Sequence, residues 1–304
     1  MIGKVAQSTI KPAKNFLSPM VMGYIAITTA LFIWSGFSLT VRAIGASPLT
    51  TADVALIRFI VPLILLLPLL PSRLEKIKRV GISDLFLIML GGLPFLFFAA
   101  LGAKTAPAAY MGAILAGTPA FFIAILSFCY YQQVITKKQL FTLTLIIGGI
   151  LVMIMGQPGA ISGTTMQGVA FLLCGSFVWA AYTMGIKRSG IDAISIAIVL
   201  SASSLFVTLI LIMSGLVTSN FGSFSLLEAM PFILVQGFGV GFLATISYSY
   251  AVKQLGPAKS SIMGSLSPGV TAVLAVAIFN EPLSIAIVSG ISLTTLGVIL
   301  YNRF

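Results

Sequence analysis

Ten long apolar runs follow one another along this chain, separated by short polar segments rich in glycine and proline. Each run has about 18 to 23 residues, the length of helix that crosses roughly 30 Å of hydrocarbon. Turn-forming residues occupy the breaks, as at Ser47-Pro48 and Gly256-Pro257. The pattern predicts an all-α polytopic membrane protein with ten transmembrane helices near 20–42, 52–70, 82–103, 108–130, 138–156, 165–187, 193–215, 229–251, 258–279 and 284–302.

The amino-acid composition also indicates a protein that is embedded in a lipid bilayer. Hydrophobic residues make up 59% of the 304 positions, charged residues make up 8%, and the mean hydropathy is +1.13. A water-soluble globule of this size needs more polar surface, so the expected partner is the lipid bilayer. The net charge of +11 is carried by short basic clusters between apolar runs, which argues against nucleic-acid binding. Cys129 and Cys174 lie in apolar runs without metal-ligand spacing, so we expect no disulfide, metal or cofactor.

The second half of the chain repeats the first. Three residues of the first predicted helix recur 145 residues later in the sixth: Gly23, Trp34 and Arg42 as Gly168, Trp179 and Lys187. Three later residues recur 149 positions further on: Lys104, Pro119 and Gly148 as Lys253, Pro268 and Gly297. We therefore predict a cytoplasmic segment at 1–19, one five-helix repeat at 20–156 and a second at 165–304. Repeat-built transporters bind substrate between their repeats, near the bilayer midplane.

Five helices per repeat is an odd number, so the second copy enters the membrane from the opposite side. The lysines and arginines test this orientation, because they gather in cytoplasmic loops. With a cytoplasmic amino terminus, only Arg42 and Lys104 lie at the outer border. The other side receives Lys4, Lys11, Lys14, Arg73, Lys76, Lys78, Arg79, Lys137, Lys138, Lys187, Arg188, Lys253, Lys259 and Arg303. The sequence predicts an inverted repeat with both termini cytoplasmic, in a bacterial inner membrane.

Several motifs resemble those of a known family. The first helix of each repeat carries an aromatic-x-Trp motif, Phe32-Ile33-Trp34 and Phe177-Val178-Trp179. Around the ninth helix stand Ala251-Val252-Lys253, Lys259, Ser265-Leu266-Ser267-Pro268 and Asn280-Glu281-Pro282. Over residues 20–302 the chain resembles EamA-type ten-helix exporters of the drug/metabolite transporter superfamily. The first half departs from the pattern, with Gly117-Thr118-Pro119 at its turn and Gln132-Gln133 aligned with Glu281-Pro282.

This resemblance implies an alternating-access carrier. Its cavity would be lined mainly by the first, third, fourth, sixth, eighth and ninth helices, with the fifth and tenth as peripheral supports. Pro119 and Pro268 would bend the paired fourth and ninth helices and act in gating, since proline removes a helical hydrogen bond. A static kink is the alternative at both positions.

Polar and aromatic residues in these six helices are the candidate substrate site. Both tryptophans lie near mid-span, away from the interfacial belts where tryptophan usually gathers. The candidates for substrate binding are Trp34, Ser38, Tyr110, Trp179, Tyr182, Thr183, Gln236, Tyr248, Lys259, Ser265 and Ser267. Each one alone is more often a helix-packing residue.

Few charged residues lie inside the predicted transmembrane helices. The chain has no histidine, and its six carboxylates fall at predicted helix ends or in loops. Glu281 is either such a loop carboxylate or a coupling residue. Arg58 is the one charge well inside a predicted helix, five positions after Asp53. It either pairs structurally or snorkels to the outer border, or it attracts an anionic substrate group or pairs with a facing backbone carbonyl. Lys259 either anchors the membrane border or binds a carboxylate or phosphate.

These features favour a secondary transporter, an exporter or exchanger, for a small polar metabolite such as an amino acid. The alternative is a carrier for organic anions or phosphorylated metabolites that uses Arg58 and Lys259. A membrane enzyme is disfavoured because no catalytic motif or histidine is present. A channel is disfavoured because no filter loop or ring of charges is visible. Small-residue faces on the fifth and tenth helices permit a homodimer without requiring one.

Overall fold

The structure is a computed structural model, and it describes residues 18–44, 47–106, 108–156, 163–279 and 284–303. All regular structure in these residues is helical, as the sequence predicts. The helices are α1 Pro19–Ile44, α2 Thr51–Leu66, α3 Leu74–Lys78, α4 Ile82–Leu90, α5 Leu93–Thr105, α6 Ala108–Gly117, α7 Pro119–Tyr131, α8 Lys137–Met155, α9 Gly163–Ser189, α10 Ala193–Met213, α11 Leu226–Phe232, α12 Thr245–Leu255, α13 Pro257–Gly264, α14 Ser267–Phe279 and α15 Ile285–Arg303. A π-helix, Ile233–Ala244, joins α11 to α12.

Eight helical segments of the described chain are long and apolar enough to cross a membrane. They are Pro19–Phe37, Thr51–Leu69, Ile82–Thr105, Ile114–Tyr131, Lys137–Met155, Gly163–Ser189, Ala193–Met213 and Leu226–Leu255. Ile285–Tyr301 is a shorter apolar helix. The chain is therefore an all-α polytopic membrane protein. The eight segments coincide with the first eight predicted helices, whereas the ninth predicted helix corresponds to the pair α13 and α14.

Local side chains define where the helices begin. Thr50 and Asp53 form a reciprocal capping box at α2, and Ser225 and Glu228 form another at α11. These caps satisfy backbone N–H groups that the first helical turn leaves without partners. At the end of α12, Gly256 has a φ of 88°, a conformation suited to glycine, and Pro257 then opens α13.

Three predicted spans are broken, and the breaks are packed by other helices. The third span breaks at Gly91-Gly92, where the ring of Tyr182 fills the space beside Gly91. The Leu93 N–H at the same break donates to the Ser204 hydroxyl at 3.1 Å. The fourth span breaks before Pro119, and the ninth breaks at Ser265-Leu266, just before α14 begins at Ser267. The eighth span, Leu226–Leu255, is continuous, and its middle is the π-helix.

The helices form two bundles, and each bundle mixes the two halves of the chain. The first bundle contains α1, α2, the π-helix with α12, and α13 with α14. The second contains α9, α10, α4 with α5, and α6 with α7. The bundles meet where α2 packs on α10, α6 on α14, and α9 on α12, while α8 and α15 pack on each other. A cavity lies in the middle of this contact.

The two ends of the bundles are identified by their contacts. At one end, here called face A, Gly23 near the start of α1 lies against Gln254 and Leu255 at the end of α12. At the other end, face B, the start of α2 contacts the segment between α10 and α11. Helix ends on face A carry Arg73, Lys187, Arg188 and Lys253.

Candidate functional site

A small cavity lies between the two bundles. The space open to the centres of water molecules is about 50 Å³, room for roughly three to five waters. Its walls come from all six helices that the resemblance implies and also from α2. The lining residues are Trp34, Phe37, Arg58, Phe95, Met111, Gly112, Leu115, Ala116, Pro119, Trp179, Val240, Tyr248, Ser261, Gly264 and Ser267. Most are apolar, so the few polar groups determine which solute fits.

Aromatic rings from both bundles meet at the cavity. The rings of Trp34 and Trp179 lie 5.5 Å apart, edge to face. Tyr248 lies 5.1 Å from Trp34 and 5.2 Å from Trp179, and Phe95 lies 4.8 Å from Trp179. These separations are typical of favourable aromatic pairs. The cluster ties α1 and α12 of the first bundle to α5 and α9 of the second.

Arg58 supplies a positive charge to the cavity wall. Its side chain is only 4% exposed, and Nη1 donates to Oε1 of Gln236 at 3.3 Å. Gln236 Nε2 in turn donates to the hydroxyl of Thr40 at 2.8 Å. The guanidinium carbon also lies 5.2 Å from the centre of the Phe37 ring, a cation–π distance. Arg58 therefore does not snorkel outwards, and it is held by residues of α1 and the π-helix.

The glycines of the π-helix allow this arrangement. A Cβ at Gly241 would collide with the carbonyl oxygen of Arg58, and one at Gly237 would lie 2.8 Å from the Val61 side chain. The Gly237-x-Gly239-x-Gly241 run is thus a packing surface, where the π-helix backbone lies directly on α2. Single π-turns inside α-helices are frequently found at functional sites.

On the face A side of the cavity, α9 and α12 are joined by a seam of hydrogen bonds. The Thr183 hydroxyl donates to the Trp179 carbonyl at 2.8 Å, so its oxygen accepts from the Tyr248 hydroxyl, also at 2.8 Å. The hydroxyls of Tyr182 and Ser249 are 3.4 Å apart. All four of these hydroxyl side chains are buried. The seam closes the space between the bundles on this side.

Ionic contacts continue this closure at face A. Lys253 Nζ donates to the carbonyl of Gly190 at 2.8 Å, joining the end of α12 to the turn after α9. Arg73 Nε lies 3.3 Å from Asp192 Oδ1. Burial raises the pKa of Asp192, but hydrogen bonds from Ser195 and Arg73 outweigh burial and leave that pKa below its usual value.

Arg188, the last arginine of α9, adds a second ion pair at face A. Its Nε lies 3.0 Å from an oxygen of Asp84 at the start of α4. Its guanidinium carbon lies 5.5 Å from the centre of the Tyr130 ring near the end of α7. These contacts join α9 to its neighbours within the second bundle, because α4 and α7 belong to that bundle as well.

Asp53 is engaged at face B and does not pair with Arg58. One carboxylate oxygen accepts from the Ser219 hydroxyl, and the Asn220 N–H donates to the carboxylate at 3.1 Å. Thr50 donates to the same carboxylate through its backbone N–H and its hydroxyl. This network fastens the segment between α10 and α11 to the start of α2.

The structure separates the predicted site residues by where they lie. Those that line the cavity are Trp34, Arg58, Pro119, Trp179, Tyr248 and Ser267. Those that are buried but absent from the lining are Tyr182, Thr183, Gln236 and Ser265, the last with its hydroxyl on the Ile262 carbonyl. Lys259 is exposed in the first turn of α13, and Pro268 lies behind the wall, where α14 approaches Gly112. The side chains of Ser38 and Tyr110, and all of Glu281, lie outside the described residues.

The sequence interpretation missed several lining residues. Phe37 lies one turn after Trp34, Ser261 one turn before Gly264, and Gly112 one turn before Ala116. Helical spacing from a residue already chosen could have found Phe37. The same spacing points to Ser261, one turn before the candidate Ser265. Met111 carries no such signal, because its helix is apolar on several sides and only the packing decides which side faces the cavity.

Comparisons with known proteins agree with this architecture. Residues 166–303 match the EamA-like transporter family, which confirms the recognition made from the sequence. A solved crystal structure superposes with a TM-score of 0.71 over 94% of this chain and 96% of its own, at 16% sequence identity. That likeness extends the fold over both halves of the chain. No curated protein matches the sequence.

Proposed function

We propose that this chain, whose residues 166–303 match the EamA-like transporter family, is a secondary transporter for a small polar metabolite that works by alternating access. The observation that carries this proposal is the cavity between two bundles, closed towards face A by the seam of Tyr248 and Thr183. A solute held there can reach face A only if α9 and α12 separate.

We further propose that the fold is ten transmembrane helices in two inverted repeats. Helix contacts support this, because they recur in matching pairs when each helix is exchanged for its repeat partner. Thus α1 packs on α12 as α9 packs on α5, and α2 packs on the π-helix as α10 packs on α4. The contact of α6 with α14 likewise recurs as that of α13 with α7, and two pairs of repeat partners pack on each other, α2 with α10 and α8 with α15. Such pairing is expected of a pseudo-two-fold axis.

Face A is the cytoplasmic side in this proposal, because the basic helix ends and loops gather there. The cavity is then closed to the cytoplasm. The repeat partner of Tyr248, 149 residues earlier, is Ala99, which is buried and has no hydroxyl. The equivalent seam towards face B therefore lacks this hydrogen bond. Unequal seams give the two faces different opening energies, and this difference sets the relative populations of the inward-open and outward-open states.

A second candidate function, transport of organic anions, is favoured by Arg58 in the cavity wall. Lys259 gives no support to it, because Lys259 is exposed outside the lining. A bacterial inner membrane remains the proposed location, and export or exchange the proposed direction.

Counterflow in proteoliposomes tests the function. Purified protein is reconstituted, vesicles are preloaded with one member of a panel of amino acids and organic acids, and entry of the labelled compound is measured. A carrier gives saturable uptake that is accelerated by the same compound on the opposite side. A current proportional to voltage without such acceleration would instead indicate a channel.

Matched variants connect transport to the cavity. Trp34→Ala and Trp179→Ala remove rings from the aromatic cluster and should lower counterflow at least about tenfold, since each ring contributes roughly 1–3 kcal/mol of contact. Phe32→Ala is the control, because Phe32 lies two residues before Trp34 and is 59% exposed. Normal counterflow in both tryptophan variants, at equal protein levels, would refute the site.

A further inference from the structure

We infer that the transported solute is a small monocarboxylate whose carboxylate binds Arg58 in the cavity between the bundles. This inference rests on the proposed function and names the substrate class of the same site.

The charge of Arg58 has no carboxylate partner among the described residues. Three of the carboxylates found there are engaged at the faces: Asp53 at face B, and Asp84 and Asp192 at face A. The other two, Glu75 and Glu228, are exposed and bound to Lys78 and to Ser225. A buried cation inside a membrane-spanning helix is costly unless an anion or a polar partner accompanies it. A bound carboxylate would supply that anion.

Geometry supports direct binding. A guanidinium has five N–H donors, and the hydrogen bond to Gln236 uses one of them. The planar fork matches a carboxylate, which it binds through two parallel hydrogen bonds. Gln236 and Phe37 fix the orientation of the fork, and Thr40 fixes Gln236. The site is therefore organised before the solute arrives, which reduces the entropic cost of binding.

Ser261 indicates a second polar contact. It lines the cavity from α13, is 3% exposed, and its hydroxyl has no hydrogen-bond partner within the described structure. Buried hydroxyls are normally satisfied, so a group of the solute is the expected partner. A hydroxyl or amino group of the solute, close to its carboxylate, would be a suitable hydrogen-bond partner for Ser261.

The single positive charge also limits the charge of the solute. Arg58 is the only cationic residue in the described lining. A phosphomonoester carries a charge of about −1.5 to −2 at neutral pH, so it would leave excess negative charge among apolar walls. We therefore expect the site to prefer a monocarboxylate to a phosphorylated solute.

Matched acids and amides test this inference on the purified full-length protein. The pairs are propionate with propionamide, lactate with lactamide, and phenylacetate with phenylacetamide; phosphoglycolate represents the phosphorylated class. The concentration that gives half-maximal thermal stabilisation is measured for each compound. In the wild type, at least one acid should bind about 100-fold more tightly than its amide, as expected for loss of a charged pair. That acid should also bind more tightly than phosphoglycolate.

Variants then identify the cation. Arg58→Gln should abolish the preference for acid over amide, and Arg58→Lys should keep part of it. Arg79→Gln, at an exposed arginine after α3, should leave it unchanged. Ser261→Ala should reduce the preference for lactate over propionate about fivefold.

Equal binding of every acid and its amide in the wild type would overturn the inference without any variant, and so would an acid preference that survives in Arg58→Gln. The counterflow assay separates this failure from that of the proposed function. Saturable exchange of neutral solutes without a preference for acids would support the carrier function and refute carboxylate binding at Arg58. Acid binding through Arg58 without counterflow of any acid would support the carboxylate site and refute the carrier function.

Discussion

Gly149→Ala tests the packing of α8 on α15, where two backbones come close together. An added Cβ at Gly149 would lie 2.6 Å from the carbonyl oxygen of Gly290 and 2.5 Å from the Thr294 hydroxyl. Ordinary Cβ contacts begin near 3.4 Å, so α15 must retreat by about 0.8 Å at a point where backbone atoms cannot rotate away. A gap of that size forfeits a quarter to a half of the local dispersion energy.

Overpacking of this kind costs about 1–3 kcal/mol, and the better helix propensity of alanine returns at most about 1 kcal/mol. With the lost packing included, the net destabilisation should reach about 2 kcal/mol, a fall in melting temperature of about 4 °C or more. Gly148→Ala is the matched control, because no atom lies within 4 Å of its added Cβ. It should be neutral or slightly stabilising.

Thermal unfolding of the purified variants in one detergent measures the difference, and counterflow measures function. Neither α8 nor α15 contributes a lining residue to the cavity, so the KM of Gly149→Ala should equal that of the wild type. Equal melting temperatures for Gly148→Ala and Gly149→Ala would show that the approach of the two backbones has been misjudged.

Three further predictions concern the seam, the ion pair at face A and the π-helix. Thr183→Val removes the acceptor of the Tyr248 hydroxyl and should lower the free energy of unfolding by about 1–3 kcal/mol. Tyr248→Phe leaves Thr183 bonded to the Trp179 carbonyl and should lower it by about half as much. Melting temperatures in the opposite order would contradict the assigned direction of the bond. Asp192→Asn keeps the helix cap but loses the charge beside Arg73. Because its folded pKa is lowered, Asp192 contributes stability that is present at neutral pH and is lost as pH falls below the ordinary value of 3.8. The wild type should therefore exceed the variant by at most about 1 kcal/mol at neutral pH and converge with it in acid; parallel pH curves would argue against the pair. Gly241→Ala should push the π-helix away from Arg58 and raise the KM for substrate. Gly36→Ala is the control and should leave the KM unchanged, because the nearest atom would lie 3.6 Å from its added Cβ. An unchanged KM in Gly241→Ala would mean that the helix contact does not position Arg58.

The sequence anticipated the membrane-spanning helices because they depend on local information. Apolar runs of membrane-spanning length, glycine-proline breaks and the paired tryptophans can be read without knowing any tertiary contact. Trp34 and Trp179 were assigned to the cavity for a similar reason, since an indole at mid-depth needs a partner other than lipid. The same reasoning could not separate residues that face the cavity from residues that face another helix.

Gln236 and Ser261 illustrate that limit. Both are small polar insertions in apolar helices, yet Gln236 lies behind the wall on Arg58, whereas Ser261 lines the cavity with a free hydroxyl. The sequence leaves several interpretations of Arg58 open, and the structure places its guanidinium on Gln236 and Phe37 while Asp53 binds Ser219 and Asn220. Lys259 matched a family pattern but is exposed. In each case the rotation of a helix about its axis decides the role.

The amino-acid sequence by itself determined that this protein is embedded in a membrane and that its fold is all-helical, because hydrophobicity and helix breaks act over a few residues at a time. The tertiary structure alone decided which side of each helix meets the cavity, how a lone arginine is held there, and which face is closed. Those properties depend on contacts between residues far apart in the chain, such as Tyr248 with Thr183 and Arg58 with Gln236. A nearly uniform apolar surface leaves such contacts to the packing of the helices rather than to any local pattern.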